Sequence, residues 1–305
     1  MIPGIFVARD FRAIEATLVG WFAGSQRVVR LAQLGIHDYF MAHGILYPRG
    51  LISSAALPDL AWPDADLIRC FAELKQRFKG DGGPLSPREI AKRVIYLSLY
   101  VGTPAKMHDE YPDTFPSRKD AAMLQGALLT LLPEIRAWQW RICRQVDQST
   151  TIKAPDGFIH RYYRVLQWRK VEGKWEADFG DDAKRLVAFL PQHMAAVIGK
   201  AAGRRIYYGE AGTLLAQKIN PRWRPVDSAA WTLRDCMAHP FLRLFIHDEW
   251  LCECPVTLAD EVDQVLQMEM AQPVKELPLD PSWGMGTHLV IGTEGKRGRV
   301  WGEMT

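Results

Sequence analysis

The sequence predicts an α+β protein, with strands gathered towards its two ends and mostly helical chain between them. Three observations carry this. Short apolar runs that stop at acids occur at 4–10, "GIFVARD", and at 241–249, "FLRLFIHDE". Much of the chain between them has apolar residues three or four apart, the period of a helix packed on one side. Strands and helices do not alternate regularly, which excludes a doubly wound sheet.

Taken in order, residues 4–10 form a buried strand ending on Asp10. Residues 11–24 follow as a helix, with Phe11, Ile14, Leu18 and Trp21 on one side. The helical pattern continues over 26–47 until "LYPRGL" breaks it, and Pro- and Gly-containing loops take 57–64 and 80–87. In "SPREIAKRVIYLSLYVG", residues 86–102, Ser86 suits an N-cap, Pro87 the first helical position, and Glu89 completes a capping box. A helix is predicted over 88–100, with others over 118–132 and 134–146. Turn signals in "APDG" and "VEGKW" around "FIHRYYRVLQWRKV" predict a β-hairpin within 151–180. Helices are expected at 182–202 and 227–238. Strands are expected at 241–246 and 250–256, on either side of a His-Asp-Glu turn, and at 287–292.

With 305 residues, 48% of them hydrophobic, the chain buries a core for one large or two moderate domains. A net charge of +3 permits an anionic partner without demanding one. Eleven tryptophans suit stacking surfaces or an aromatic core equally. Cys70, Cys143 and Cys236 are scattered, and Cys252 and Cys254 form only a CxC pair. No zinc or disulfide pattern results, which predicts reduced thiols in a cytoplasm. Arg9 and Asp10 come too early for a signal peptide. No apolar stretch is long enough to span a bilayer, so no membrane partner is expected.

If the strands ending at Asp10 and near Asp248 are neighbours, two carboxylates meet at one sheet edge. Like charges that close repel unless a cation lies between them. All-oxygen ligands favour Mg²⁺, held by one or two carboxylates plus substrate phosphates. Two such ions would clamp the attacking and leaving oxygens of a phosphoryl transfer. Acids are also common at turns, and either one alone carries no chemistry. A third element weighs on this. Arg88, Lys92, Tyr96 and Tyr100 recur every four residues, one winding stripe of two cations and two phenols. Cations hold a triphosphate and rings stack on a base or sugar; a half-solvated helix face gives the same pattern. "RYYRVLQWRK" at 161–170 mixes bases with aromatics, suiting either a single strand or an ordinary two-faced hairpin. Arg136, Trp140 and Arg144 form a solvated, partly packed helical stripe. His37 and His160 lack metal partners at ligand spacing and read as structural.

Together these elements resemble the family A DNA polymerases, the bacterial DNA polymerase I type and its phage relatives. "ARDFRAIEATLVGWFAG" is similar to motif A, with Asp10 on the metal position and Glu15 on the glutamate that crowds the sugar 2′ position. Arg88, Lys92, Tyr96 and Tyr100 match the Arg-x₃-Lys-x₃-Phe/Tyr-x₃-Tyr pattern of motif B. His247, Asp248 and Glu249 match motif C. In "AKRLVAFLPQHMAAVIGKAA", Gln192 falls on a glutamine that touches primer or template, and the closing "GRVWGEM" looks like the tail of several phage members. The blocks keep the family's order.

The resemblance implies a right-hand polymerase: a palm with an antiparallel sheet at 1–25 and 183–305, and mostly helical fingers at 26–182. Asp10 and Asp248 would hold two Mg²⁺ ions, for which Mn²⁺ substitutes, with Glu249 in support. Arg88 and Lys92 would hold the dNTP triphosphate, Tyr96 its sugar and base, and Tyr100 with Glu15 the nascent pair. Gln192, His247 and Lys184 would touch DNA. The expected partners are primed DNA template and dNTPs, in the cytoplasm of a bacterial host. The pattern departs from the family at Val101 and Leu97, where glycines are usual, at Lys184 (usually Arg) and at Ala188 (usually Asn). A thumb, the first palm strands and any exonuclease are expected to come from a second polypeptide of a split polymerase. A catalytically weak DNA-binding or assembly subunit, or an RNA-synthesising relative, are the alternative readings.

Overall fold

The computed structural model describes residues 4–78, 86–230, 232–300 and 304, so the Trp301-Gly302-Glu303 part of the tail and most of the loop expected at 80–87 lie outside it. The chain divides into two compact units, residues 1–14 with 193–305 and residues 15–192. Among the described residues no helix is long and apolar enough to cross a membrane.

The first unit begins with β1 (Gly4–Phe11) and the first residue of α1 (Ile14–Ala23). The second unit then runs through α2 (Gln26–Leu34), α3 (Ile36–Phe40), α4 (Asp64–Phe78), α5 (Pro87–Leu99), α6 (Pro104–Glu110), α7 (Arg118–Leu131) and α8 (Pro133–Ser149). The expected single helix over 26–47 is broken. Gly35 has φ 150, and a Cβ there would meet the ring of Phe71; α3 then opens into a π-helical turn at Met41–Leu46. The expected hairpin at 151–180 is two separate ribbons, β2 (Thr151–Lys153) with β3 (Ile159–Arg161) and β4 (Leu166–Val171) with β5 (Lys174–Phe179).

Helix α5 shows how local chemistry places the stripe of Arg88, Lys92 and Tyr96. Ser86 accepts a hydrogen bond from the Glu89 amide at 3.4 Å, and Pro87 opens the helix. Ile90, Ala91, Val94, Ile95, Ser98 and Leu99 are buried, which leaves the other side for Arg88, Lys92 and Tyr96. At the far end Gly102 N–H donates to Leu97 O at 2.7 Å and Val101 N–H to Ser98 O at 3.4 Å, a Schellman closure. Two buried glutamines satisfy carbonyls there. Gln139 donates to Ser98 O and Leu99 O at 2.8 and 3.0 Å, and Gln125 to Gly102 O at 2.6 Å. The left-handed position of this closure is Val101, with φ 57. A β-branched residue is strained there by about 1–2 kcal/mol. Val101→Gly is expected to stabilise the protein by about 0.5–1 kcal/mol after glycine's entropy is subtracted. Urea unfolding checks this, and a loss of stability would show that Val101 is not strained.

Helix α9 (Ala183–Tyr208) runs past the expected end at 202 and passes the unit boundary at 192/193. The first unit continues with α10 (Glu210–Ile219), β6 (Leu242–Ile246), β7 (Glu249–Pro255), α11 (Ala259–Met270), β8 (Val274–Pro278), β9 (His288–Leu289) and β10 (Thr293–Gly298). The helix expected at 227–238 is only a 3₁₀ segment at Leu233–Ala238, because a capping box between Thr232 and Asp235 starts the turn there. The strand expected at 287–292 is the two-residue β9, and the longer strand is β10.

The main sheet is antiparallel in the order β10-β1-β7-β6. On one face the 193–208 part of α9 and α11 pack against it. Trp250 is fully buried, and its indole N–H donates to Gly199 O at 3.0 Å. Gly199 and Gly203 lie against Phe245 and Trp250, where any Cβ would collide with the rings. Arg9 is 6% exposed and donates twice to Asp263 Oδ1, at 2.9 and 2.7 Å. Residues paired across an antiparallel ladder share a face, so Asp10, Glu249 and Glu294 stand together on the other one.

Candidate functional site

Asp10 lies on a central strand between Glu249 and Glu294. Asp248 reaches it through the two-residue turn between β6 and β7, and its carbonyl accepts from Phe11 N–H at 3.1 Å. The other turn residue, His247, is exposed and left-handed, with φ 56, a strained conformation outside glycine.

The four acids have unequal company. Glu249 is ion-paired with Lys296, and Glu294 with Arg12 at 2.8 Å. Asp10 and Asp248 have each other. Burial pushes Asp10 up to about 7 from an ordinary 3.8, helped by the charge of Asp248 and by a hydrogen bond in which Asp10 donates to it. Burial also raises Asp248. Asp10 Oδ1 is buried with no hydrogen-bond partner. Among the described residues no three His, Cys, Asp or Glu side chains form a metal-holding group. The fit is therefore to a hard cation held by two carboxylates, its other ligands being water and substrate oxygens.

Asp10 fixes a pH dependence. A carboxyl whose native pKa is raised stabilises the fold below its unfolded pKa and loses that stabilisation as pH rises through the native value. In chelator the Tm is expected to fall between about pH 4 and pH 7, and added Mg²⁺ to restore it at pH 7.5 but not at pH 5. A thermal-shift series with and without the ion tests this. Equal curves at both pH values would refute a cation site at this pair.

In the second unit Arg88, Lys92 and Tyr96 lie along α5, and Tyr100 is its C-cap. The side chain of Arg88 contacts Asp38 at 3.0 Å, and that of Lys92 contacts Glu89 at 2.7 Å. Both cations are thus already paired, and a triphosphate would compete with Asp38 and Glu89. Tyr96 is 39% exposed, and its ring centroid lies 5.7 Å from that of His37. His37, which reads as structural in the sequence, packs its ring beside this stripe. Burial, then Arg88 and Lys92, lower it to about 3, so it is a neutral ring at pH 7. No spacing in the sequence links His37 to Arg88; only the packing of α3 on α5 does.

Burial, then the nearby charge of Glu15, holds the Tyr100 phenol well above its ordinary value, and Gln192 also reaches it. The Tyr100 hydroxyl is buried and lacks a well-formed hydrogen bond. Lys184 is exposed beside Lys106, whose ammonium lowers it. Lys92, Arg93, Tyr96, Tyr100, Tyr111 and Lys184 line a cleft of about 410 Å³. Asp10, Asp248 and Glu249 are thus gathered in one unit, with His247 at the same turn. Arg88, Lys92, Tyr96, Tyr100, Glu15, Lys184 and Gln192 lie in the other.

No protein-family model matches the sequence, and no curated protein matches it. Among solved structures, the POL domain of Pol1 from M. smegmatis, in complex with DNA primer-template and dNTP, matches with a TM-score of 0.56 and 15% sequence identity. The match covers 97% of this chain and 40% of that one. The chain has a polymerase-like fold, mixed α and β with an antiparallel sheet.

Proposed function

We propose that this chain carries the palm and fingers of a DNA-directed DNA polymerase. One observation supports the reading: in a polymerase-like fold, a strand and a two-residue turn bring together the half-buried carboxyls of Asp10 and Asp248, with Oδ1 of Asp10 left without a hydrogen-bond partner. The palm comprises 1–25 and 183–305, and the fingers 26–182. Asp10 and Asp248 hold two Mg²⁺ ions, with Mn²⁺ as a substitute. The ions supply positive charge that favours attack of a primer 3′-hydroxyl on the α-phosphate of a dNTP and departure of pyrophosphate.

The chain's own residues position and neutralise. Glu249, ion-paired with Lys296, stands beside the Asp10–Asp248 pair, and its charge helps to raise both. Arg88 and Lys92 exchange Asp38 and Glu89 for phosphate oxygens, and neutral His37 can donate to the same group. Tyr96 stacks on sugar and base. Glu15, beside Tyr100, crowds the 2′ position and favours deoxynucleotides over ribonucleotides. Gln192, Lys184 and His247 contact primer-template. In this reading a thumb and upstream palm would come from a second polypeptide of a split phage-type enzyme, which the copurification arm of the assay tests.

Primer extension tests the reading. The chain, a primed template, Mg²⁺ and either dNTPs or rNTPs are incubated, alone and with any polypeptide that copurifies from the native source. Extension with dNTPs that exceeds extension with rNTPs is the expected result. No extension in either arrangement would favour the alternative of a catalytically weak DNA-binding subunit, in which Arg88 and Lys92 stay locked in their ion pairs.

A further inference from the structure

Among the described residues Asp38 is the one buried carboxylate, 6% exposed. A charge is kept there only in company, because an unpaired one is costly to bury. The local backbone makes room for it. Asp38 N–H donates to Gly35 O at 3.1 Å, in the first turn of α3. Gly35 has φ 150, and a Cβ there would crowd Asp38 Oδ2 at 3.3 Å.

Its company is cationic. Arg88 Nε donates to Asp38 Oδ1 at 3.0 Å. Burial raises the Asp38 carboxyl above its ordinary 3.8, against the pull of Arg88, of Lys75 on α4 and of Lys92 on α5. Two acids, Asp38 and Glu89, stand among these three cations, and they differ. Glu89 meets Lys92 from the same helix at an i,i+3 spacing, and both side chains are partly exposed. Such a pair contributes little and opens readily. Asp38 comes from a different helix on a short side chain, and its burial fixes it beside Arg88.

We infer that Asp38 is a built-in competitor of the triphosphate for Arg88, whose fixed charge weakens the hold of Arg88 and Lys92 on a polyphosphate. This rests on the reading of that pair as the dNTP phosphate site. A phosphate that approaches Arg88 meets a carboxylate already in place, and like charges brought close cost affinity. The same carboxylate takes Arg88 back as pyrophosphate departs, which speeds release of a product that strong cations would retain. Asp38→Asn isolates this effect. Asn keeps the shape and an Oδ1 acceptor for the Arg88 Nε–H, and removes only the charge.

The test is titration calorimetry of the full chain with inorganic tripolyphosphate, in chelator, at neutral pH and fixed salt. Asp38→Asn is expected to bind about tenfold tighter than the wild type, and Glu89→Gln to change the affinity by less than about threefold. Adding Arg88→Gln to Asp38→Asn should abolish the gain. dATP should displace the tripolyphosphate. Equal or weaker binding by Asp38→Asn would overturn the inference and make Asp38 an orienting partner of Arg88. Absence of binding by wild type and variant alike would overturn it too. Displacement by a blunt DNA duplex and not by dATP would assign the cations to nucleic-acid phosphates, and so refute it. Circular dichroism checks each variant. If the Asn variant does not fold, Asp38→Ser, which also lacks the charge, carries the same expectation; if neither folds, the pair is structural and the inference fails. No synthesis is measured, so the two readings fail separately. Extension without tightening removes only the role of Asp38, and tightening without extension leaves a polyphosphate site on α5.

Discussion

Asp248→Ala will lower primer extension by about a thousandfold or more, and will raise the Tm of the chelated protein at neutral pH. The rate loss follows from the proposed role. A bound divalent ion stabilises transition-state charge by several kcal/mol, and each 1.36 kcal/mol is tenfold in rate. The stability gain follows from the repulsion. Asp248 is one of the causes that hold Asp10 near 7, and its loss lets Asp10 ionise beside one fewer carboxylate. Loss of activity with a lowered Tm would mean that the variant had merely damaged the β6–β7 turn. Asp248→Asn serves as the shape-conserving control. Full activity in both variants would remove Asp248 from the chemistry.

Trp250→Ala will destabilise the first unit by about 3–5 kcal/mol, a large share of the roughly 5–15 kcal/mol that a folded protein commands. The indole is fully buried, its centroid is 4.8 Å from that of Phe245, and its N–H is satisfied by Gly199 O. Removing it opens a cavity beside Gly203 and orphans a carbonyl. The same packing predicts a coupling. Gly203→Ala alone overpacks the ring, at a cost of about 1–3 kcal/mol, but in the Trp250→Ala background its methyl enters the vacated space and is neutral or stabilising. Additive costs in a double-mutant cycle would show that the helix and ring do not meet this way.

Some of this was legible because the cause is local. Ser86 and Pro87 announce the start of α5, although Glu89 turns its side chain to Lys92 and does not complete the expected capping box, and Asp10 closes an apolar run that is indeed a strand. Other elements left a weak trace. β10 reads "TEGKRG", charged and glycine-containing, because an edge strand of this sheet answers acids with Lys296 and Arg297 instead of adding apolar residues. Helix α4 carries a signal of its own in Leu67, Phe71 and Leu74, three or four apart and all buried. What no local pattern contains is pairing across long separations, such as Arg88 with Asp38, or Glu249 with Lys296.

The position of β1 in its sheet bears on how the chain acquires its shape. Both neighbours of β1 come from late in the sequence, and the side-chain partners of Arg9 lie 254 and 284 residues onward. Contacts of such separation form slowly, since a long loop must close first. On a ribosome, residues 15–192 can collapse while β1 still lacks anything to pair with. Val7 and Ala8, fully buried at the end, spend that interval in water on a strand open along both sides. Carboxylates that are costly to bring together can therefore be joined only late in synthesis, once residues up to Pro255 have emerged.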